Sequence, residues 1–516
     1  MAQYITKIDT QIHTIHLLYD NTSMAEIKGV HNLLNLVVRD CQRPIKGCSI
    51  RNGSKLDEQK HLMMRKPHII AIPFPAQGHV IPLMELCLCL VKHGCKVTFV
   101  NTEFNHNRII KSMSEADNDI NLVSVPDGLG VEEDRNDTKK LAEAIFKVVP
   151  GKLEALIRKI NESDENRVSC VIADVNLSWA FDWAKRLGLQ RVAFWTSSAT
   201  SLAMMFNVPK LVDDGIVGNN GEILKKQSIK LRPLMPDMNS SDLLWNCFSD
   251  PGLQRFVFDL AFKTNESVKA AEWIICNSSQ VMEYEVFAAY PELIPIGPLQ
   301  ASNRLGKTSG HFWQEDTDCL KWLDQQPLNS VIYVAFGSHT IFNMAEFQEL
   351  ALGLELTNRP FLWVVRQGFI EEAGNPYPEG FIDRTRNRGR LVEWAPQQKV
   401  LAHPSLGCFL SHCGWNSTIE GVCNGLPFLC WPYFADQFFD KSYICDVWKT
   451  GLGFDRNENG IIGRQEIKNK VEQLFGDENF KARAVDLQAE VLSSVKRGGS
   501  SYQNFSSLVN WIKAKK

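Results

Sequence analysis

The sequence predicts an α/β protein made of two Rossmann-like βαβ domains that face each other across a cleft. Three observations carry that expectation. Short, continuously apolar runs such as HIIAIPF from His68 and VIYVAF from Val331 have the composition of strands buried on both faces of a parallel sheet. Each is followed by a loop and then by a stretch of helical length, so strand and helix alternate. The alternation halts at the polar run ASNRLGKTSG and then starts again, as an interdomain linker would make it do.

Length and composition agree. A chain of 516 residues is too long for one hydrophobic core. With 44% hydrophobic and 22% charged residues it is ordinary globular material. A formal net charge of −3 offers no electrostatic case for nucleic acid or for an anionic membrane surface. The 14 cysteines are scattered without paired spacing, which suits reduced thiols in a cytoplasm. No run approaches the roughly 20 apolar residues that a membrane span needs.

Residues 1–66 are unlike the rest. Their one sizeable apolar cluster is NLLNLVV, and Asp9, Asp20, Glu26, Asp40, Asp57 and Glu58 argue against an acid-poor transit peptide. A dispensable, disordered extension is expected there. From His68 the order is strand, the loop PAQGH, a helix closed by Gly94, and a second strand KVTFV. The loop lacks G-x-G-x-x-G, which disfavours an NAD-dependent oxidoreductase. His79 falls just past the C-terminal end of the first strand, the edge where doubly wound sheets bind ligands. INLVSV reads as a strand, LAEAIFKVV and LEALIRKI as helical stretches, and SCVIAD and RVAFWT as strands ending in Asp174 and Thr196. Either of those two residues alone is as well explained by a helix N-cap. Three polar groups on one rim of one sheet are the stronger sign of a site. Residues 207–272, with Trp245, Phe248 and Phe256, fit a pocket wall or plain core equally well.

After the linker, VIYVAFGS puts Ser338 behind a glycine at a strand end, and FLWVV and LVEW continue the sheet. FFDKSYICDVWKTG reads as one helix, followed by three helical segments around 466–475, 480–496 and 502–511. The last carries Phe505, Leu508 and Trp511 at helical spacing, which calls for burial against another element.

The most informative stretch is 394–437, WAPQQKVLAHPSLGCFLSHCGWNSTIEGVCNGLPFLCWPYFADQ. GCFLS reads as a strand, HCGWNS as a turn and STIEGVCNG as a short helix ended by Gly425. A strand, a tight turn and a helix start together bind anions, because the first N–H groups of a helix are unpaired and carry partial positive charge. His412, Asn416 and Ser417 stand at that mouth. Plainer readings exist. Ser417 and Glu420 have capping-box spacing, and Trp394, Trp415 and Trp431 fit ordinary core. A metal on Cys408, His412 and Cys413 is disfavoured, since His412 and Cys413 are adjacent and no C-x-x-C occurs.

Read end to end, the stretch resembles the signature box of plant family-1 UDP-dependent glycosyltransferases, with W-A-P-Q, H-C-G-W-N-S, E-G and D-Q in order. The resemblance runs from about Pro67 onward and leaves out the first sixty-odd residues. It implies the GT-B fold: an acceptor-binding domain at 67–300, a linker at 301–315, a UDP-sugar-binding domain at 316–490 and a final helix at 491–516 returning to the first domain. It implies an inverting transfer of glucose from UDP-glucose to a hydroxyl or carboxyl of a small lipophilic metabolite (a phenolic, flavonoid, monolignol, terpenoid or hormone). UDP-glucose is the co-substrate, with no metal or other cofactor, and the protein is a cytoplasmic monomer. Matched residue by residue, His79 is the base and Asp174 its orienting acid. Trp394 and the backbone of Ala395 take the uracil, Gln397 and Glu420 the ribose, and Ser338, His412, Asn416 and Ser417 the diphosphate. Thr196, Trp415, Asp436 and Gln437 take the sugar, and a glutamine at 437 goes with glucose. The chemistry suits these types. Imidazole accepts a proton near neutral pH, a carboxylate holds the imidazolium, and fixed donors stabilise the leaving diphosphate. The alternative is a nucleotide-sugar-binding paralogue without turnover, which has no reason to keep both His79 and Asp174.

Overall fold

A computed structural model describes residues 66–514, apart from 113–119, 136, 164–165, 233–234, 249, 300–314 and 371–373. The expected extension up to residue 65 and the expected linker from 301 to 314 lie outside the described residues.

The first half is organised by β1 (His68–Ile72), β2 (Lys96–Thr102), β3 (Ile120–Val125), β4 (Val168–Asp174) and β5 (Gln190–Trp195). After a two-stranded hairpin of β6 (Ser228–Ile229) and β7 (Met238–Asn239), β8 (Trp273–Cys276) and β9 (Leu293–Pro295) complete it. The sheet order is β3-β2-β1-β4-β5-β8-β9, with every pair parallel. The unbroken apolar run of β1 is explained by its two covered faces. Ile70 and Ile72 join the core on one side, and Ile69 and Ala71 join the core on the other. The chain winds outward from β1 in one direction and from β4 in the other. Their C-terminal ends therefore flank the crevice where such sheets take ligands.

The two helical stretches expected on either side of Pro150 are one helix, Thr138–Ile160. An interior proline removes a backbone hydrogen bond and bends the axis. The helix survives because Leu141, Ile145, Val149, Leu153 and Ile157 keep one buried stripe running past the proline.

The second half repeats the plan. Its strands are β10 (Val331–Ala335), β11 (Phe361–Val364), β12 (Gly389–Val392), β13 (Leu406–Ser411), β14 (Phe428–Cys430) and β15 (Gly451–Gly453), in the parallel order β12-β11-β10-β13-β14-β15. The direction of winding reverses between β10 and β13. The single helix expected over FFDKSYICDVWKTG is a helix Gln437–Ser442 running into a π-turn, Tyr443–Val447.

The final helix, Ser500–Ala514, packs on the first sheet, as the resemblance implied. Phe505, Leu508, Val509 and Ile512 enter the core on that face, toward β8 and β9 and the end of the helix Gln77–Lys92, where Phe505 meets the His93 ring edge-on. Trp511, expected inside, is only partly buried against Trp273, and Ile512 takes the deep position. Polar links fix the docking: Asn504 Nδ2 donates to Pro295 O at 2.8 Å, and Gln190 Nε2 donates to Trp511 O at 3.2 Å. Among the described residues, no helix is long and apolar enough to cross a membrane.

Candidate active site

The two winding reversals face each other across one cleft of about 440 Å³, and every expected site residue except Asp174 lines it. Asp174 stands directly behind His79.

On the first rim, β1 ends and the helix Gln77–Lys92 begins, so His79 is held in a first turn whose entry is fixed by its own N–H donating to Ala76 O at 2.9 Å. Its Nδ1 lies 2.7 Å from Asp174 Oδ2 and 3.1 Å from Thr196 Oγ1. A carboxylate only accepts, so Nδ1 carries the proton and Nε2 keeps its lone pair. Asp174, the last residue of β4, is 1% exposed and its other oxygen accepts from Asn176 N–H at 2.9 Å. That Asx turn, rather than a helix N-cap, is its local role: the next helix, Trp179–Arg186, starts later, behind Ser178. Thr196 is likewise not the cap of its helix, since Ser198 is. Burial is the largest influence on His79 and lowers its affinity for protons. The charge and hydrogen bond of Asp174 and the charge of Asp436 outweigh it, leaving His79 raised above the ordinary value of 6.5.

On the second rim, β13 delivers His412 and the helix Trp415–Cys423 follows with Gly414 as its cap. Ser417 is therefore in the third helical position, and the capping-box alternative is excluded. Its Oγ instead accepts from Gln397 Nε2 at 2.9 Å, and Gln397 Nε2 also donates to Glu420 Oε2 at 2.6 Å. Gln398, unforeseen, donates to the other oxygen of Glu420 at 3.2 Å, and the Tyr333 hydroxyl donates to Gln397 Oε1 at 3.1 Å. Burial raises the Glu420 carboxyl, while the two glutamines pull it back. Trp394 and Ala395 line the same end of the cleft.

The turn between strand and helix is under strain. Cys413 has φ +66, a left-handed conformation that a β-carbon resists. Gly337, at the end of β10, has φ +69, and a β-carbon there would sit 2.7 Å from His412 Nε2. Only glycine lets the Ser338 loop come this close to the histidine. Burial holds His412 down to about 4, so its ring is neutral around neutral pH. His339, which the sequence reading passed over, lies in the same cleft with its Nδ1 2.9 Å from Ser338 Oγ. Burial, the nearby Arg366 and His79 hold it down to about 4 as well.

Two expected ligand-binding side chains also bridge the halves. Trp415 Nε1–H donates to Asn277 O at 2.9 Å, so the indole has no donor left for a sugar. Asn416 Nδ2 donates to Gly78 O at 2.8 Å, next to His79. Asp436 lies opposite Thr196 and accepts from the Ser197 hydroxyl. Gln437 Oε1 accepts from Tyr433 N at 2.7 Å and from Phe434 N at 3.0 Å, which leaves its Nε2 group as a donor. The first-half side of the cleft carries an apolar wall of Phe74, Ile81, Met205, Leu244 and Phe248 next to the polar groups around His79 and Thr196. This divides the insertion that sequence could not resolve. Phe248 is wall, whereas Trp245 is 1% exposed and donates to Gly221 O as core.

Comparisons with known proteins find relatives over most of the chain. A family model for UDP-glucoronosyl and UDP-glucosyl transferase matches residues 265–494. The chain is 43% identical over 472 residues to UDP-glycosyltransferase 83A1 of Arabidopsis thaliana, covering 89% of this chain and 99% of that protein. It is 34% identical over 483 residues to 7-deoxyloganetin glucosyltransferase of Gardenia jasminoides, covering 87% and 98%. UGT2 of Phytolacca americana, solved with UDP-2fluoro-glucose and pterostilbene, superimposes with a TM-score of 0.72 at 27% identity, covering 87% of this chain and 99% of that one.

Proposed function

The chain belongs to the UDP-glycosyltransferase family and is a glycosyltransferase of the GT-B fold, and from that premise we propose that it transfers glucose from UDP-glucose, with inversion, to a hydroxyl of a small lipophilic metabolite. His79 Nε2 takes the proton of the acceptor hydroxyl as the oxygen attacks the anomeric carbon. Asp174 holds the imidazolium that results. The bond from that carbon to the diphosphate breaks on the opposite face and UDP leaves, its charge met by His412, Ser338 and the N–H groups opening the helix Trp415–Cys423. Trp394, Ala395, Gln397 and Glu420 hold uridine, and Thr196, Asp436 and Gln437 hold the hexose. Residues 67–300 serve the acceptor and 316–490 the donor, in a cytoplasmic monomer, and no step calls for a metal.

The observation that carries this reading is the His79–Asp174 bond of 2.7 Å, which leaves an unprotonated nitrogen for the acceptor. The apolar wall supports a lipophilic acceptor, as does the pterostilbene bound by the Phytolacca enzyme. A glucosyl donor is supported by the activity named for the Gardenia relative. Purified protein incubated with UDP-glucose and a panel of plant phenolics and terpenoids is expected to give a product heavier by one hexose in mass spectrometry. UDP-glucose binding with no product would favour the paralogue without turnover. His79→Ala is expected to lower turnover by at least about 100-fold while UDP binding is retained. Unchanged turnover would remove His79 as base.

A further inference from the structure

Ser197 and Asp436 meet across the cleft from opposite halves. Ser197 follows β5 beside Thr196, and Asp436 opens the helix Gln437–Ser442. The direction of their hydrogen bond follows from the groups. A hydroxyl has one proton to give and an ionised carboxylate has none, so Ser197 donates to Asp436 Oδ2. Ser201 gives its own proton to Ser198 O at 2.6 Å, and its oxygen, 3.2 Å from Ser197 Oγ, is a more distant and uncharged acceptor than the Asp436 carboxylate.

Asp436 needs such a donor. One turn along the same helix is Asp440, a second carboxyl, 0% exposed. Two carboxyls in one apolar setting favour protonation of one of them. A protonated Asp436 would present either a donor or an acceptor to a ligand, with no fixed choice. Burial raises the Asp436 carboxyl, and the Ser197 bond, together with the backbone N–H groups of Asp436 and Trp415, pulls it back toward the ionised form, which can only accept from a ligand at the cleft lining. The next residue complements it: the oxygen of Gln437 is taken by two backbone N–H groups, so its Nε2 can only donate. A fixed acceptor beside a fixed donor matches neighbouring hydroxyls of a pyranose, each of which both gives and accepts.

We propose that Ser197 is a positioning residue for the donor hexose: it fixes the Asp436 carboxylate, and because it comes from the opposite half it makes hexose recognition conditional on closure of the cleft. This rests on the reading that the cleft takes UDP-glucose. Uracil, ribose and diphosphate fall to other residues, so the effect of Ser197 is confined to the sugar.

Calorimetric titration of the full chain with UDP and with UDP-glucose tests it, using Ser197→Ala and Ser197→Thr. In Ser197→Ala, affinity for UDP-glucose is expected to fall about tenfold, the scale of a hydrogen bond to a charged group, while UDP affinity stays within about twofold. In turnover, KM for UDP-glucose rises and KM for the acceptor does not. Ser197→Thr keeps the hydroxyl and recovers most of the loss. Equal losses for both ligands, or an unchanged affinity for UDP-glucose, would overturn the proposal. A wild-type protein that binds neither nucleotide would overturn the reading of the cleft and this proposal with it.

Discussion

A histidine that removes a proton, the role proposed for His79, must be neutral when the acceptor arrives, and its neighbours set the pH at which it is. Burial alone would push it below 6.5, but Asp174 and Asp436 bring it above that value. The neutral fraction therefore grows as pH rises through a value above 6.5, and activity is lost as pH falls through it. The acid limb of kcat/KM is expected on the alkaline side of an ordinary imidazole. Asp174→Asn removes the foremost of the raising influences, so the limb moves to lower pH while the rate drops for want of orientation. Profiles of the two proteins with coincident acid limbs would exclude the pair as the titrating unit. At this scale much of the site was legible. His79, Asp174 and Thr196 could be found because each stands at or just past the C-terminal end of a strand that its apolar run announces. Ser197, Asn277 and Gly78 could not, since their partners Asp436, Trp415 and Asn416 belong to the other half and no local pattern links them. His339 had a signal that went unused, its place directly after Ser338.

Among the elements, the loop after β10 and the turn after β13 form one unit because Gly337 permits contact with His412. Gly337→Ala puts a β-carbon into that contact at a left-handed φ. The strain alone costs about 1–2 kcal/mol, and if His412 meets the diphosphate as proposed, its displacement adds a loss there. UDP affinity measured by calorimetry is expected to fall at least about tenfold, and an undisturbed affinity would show that the two loops act independently. Elements with long apolar runs, such as β1 and β10, were readable in advance. The strands β14 and β15, of three residues each, were not: β14 is apolar but very short, and in β15 Gly451 and Gly453 carry no β propensity, so the pairing register alone makes it a strand. The helix through Pro150 was missed for a related reason: tertiary burial of its stripe outweighs a local breaker.

In the whole molecule, closure rests on specific bonds between halves. Besides those at the cleft, Trp448 Nε1 donates to Met282 O at 3.0 Å and the Tyr443 hydroxyl donates to Thr200 Oγ1 at 2.9 Å. Glu283 anchors that region, accepting from Ala199 N, Thr200 N, Thr200 Oγ1 and Ser278 Oγ. The helix Ser500–Ala514 ties the sequence's far end to the first sheet. Leu508 is 0% exposed within that core, so Leu508→Ala is expected to cost about 2–5 kcal/mol in chemical denaturation. A loss below about 1 kcal/mol would mean the helix only rests on the surface.

That last helix also sets an order of assembly. Phe505, Leu508, Val509 and Ile512 close a face of the first sheet, yet they follow the entire second half in the chain. During synthesis the first half therefore waits, with the face of β8 and β9 around Trp273 lacking its cover, until the second has been translated. Such a nascent chain exposes an apolar surface of the kind that holding chaperones bind, and its two halves mature together rather than in sequence.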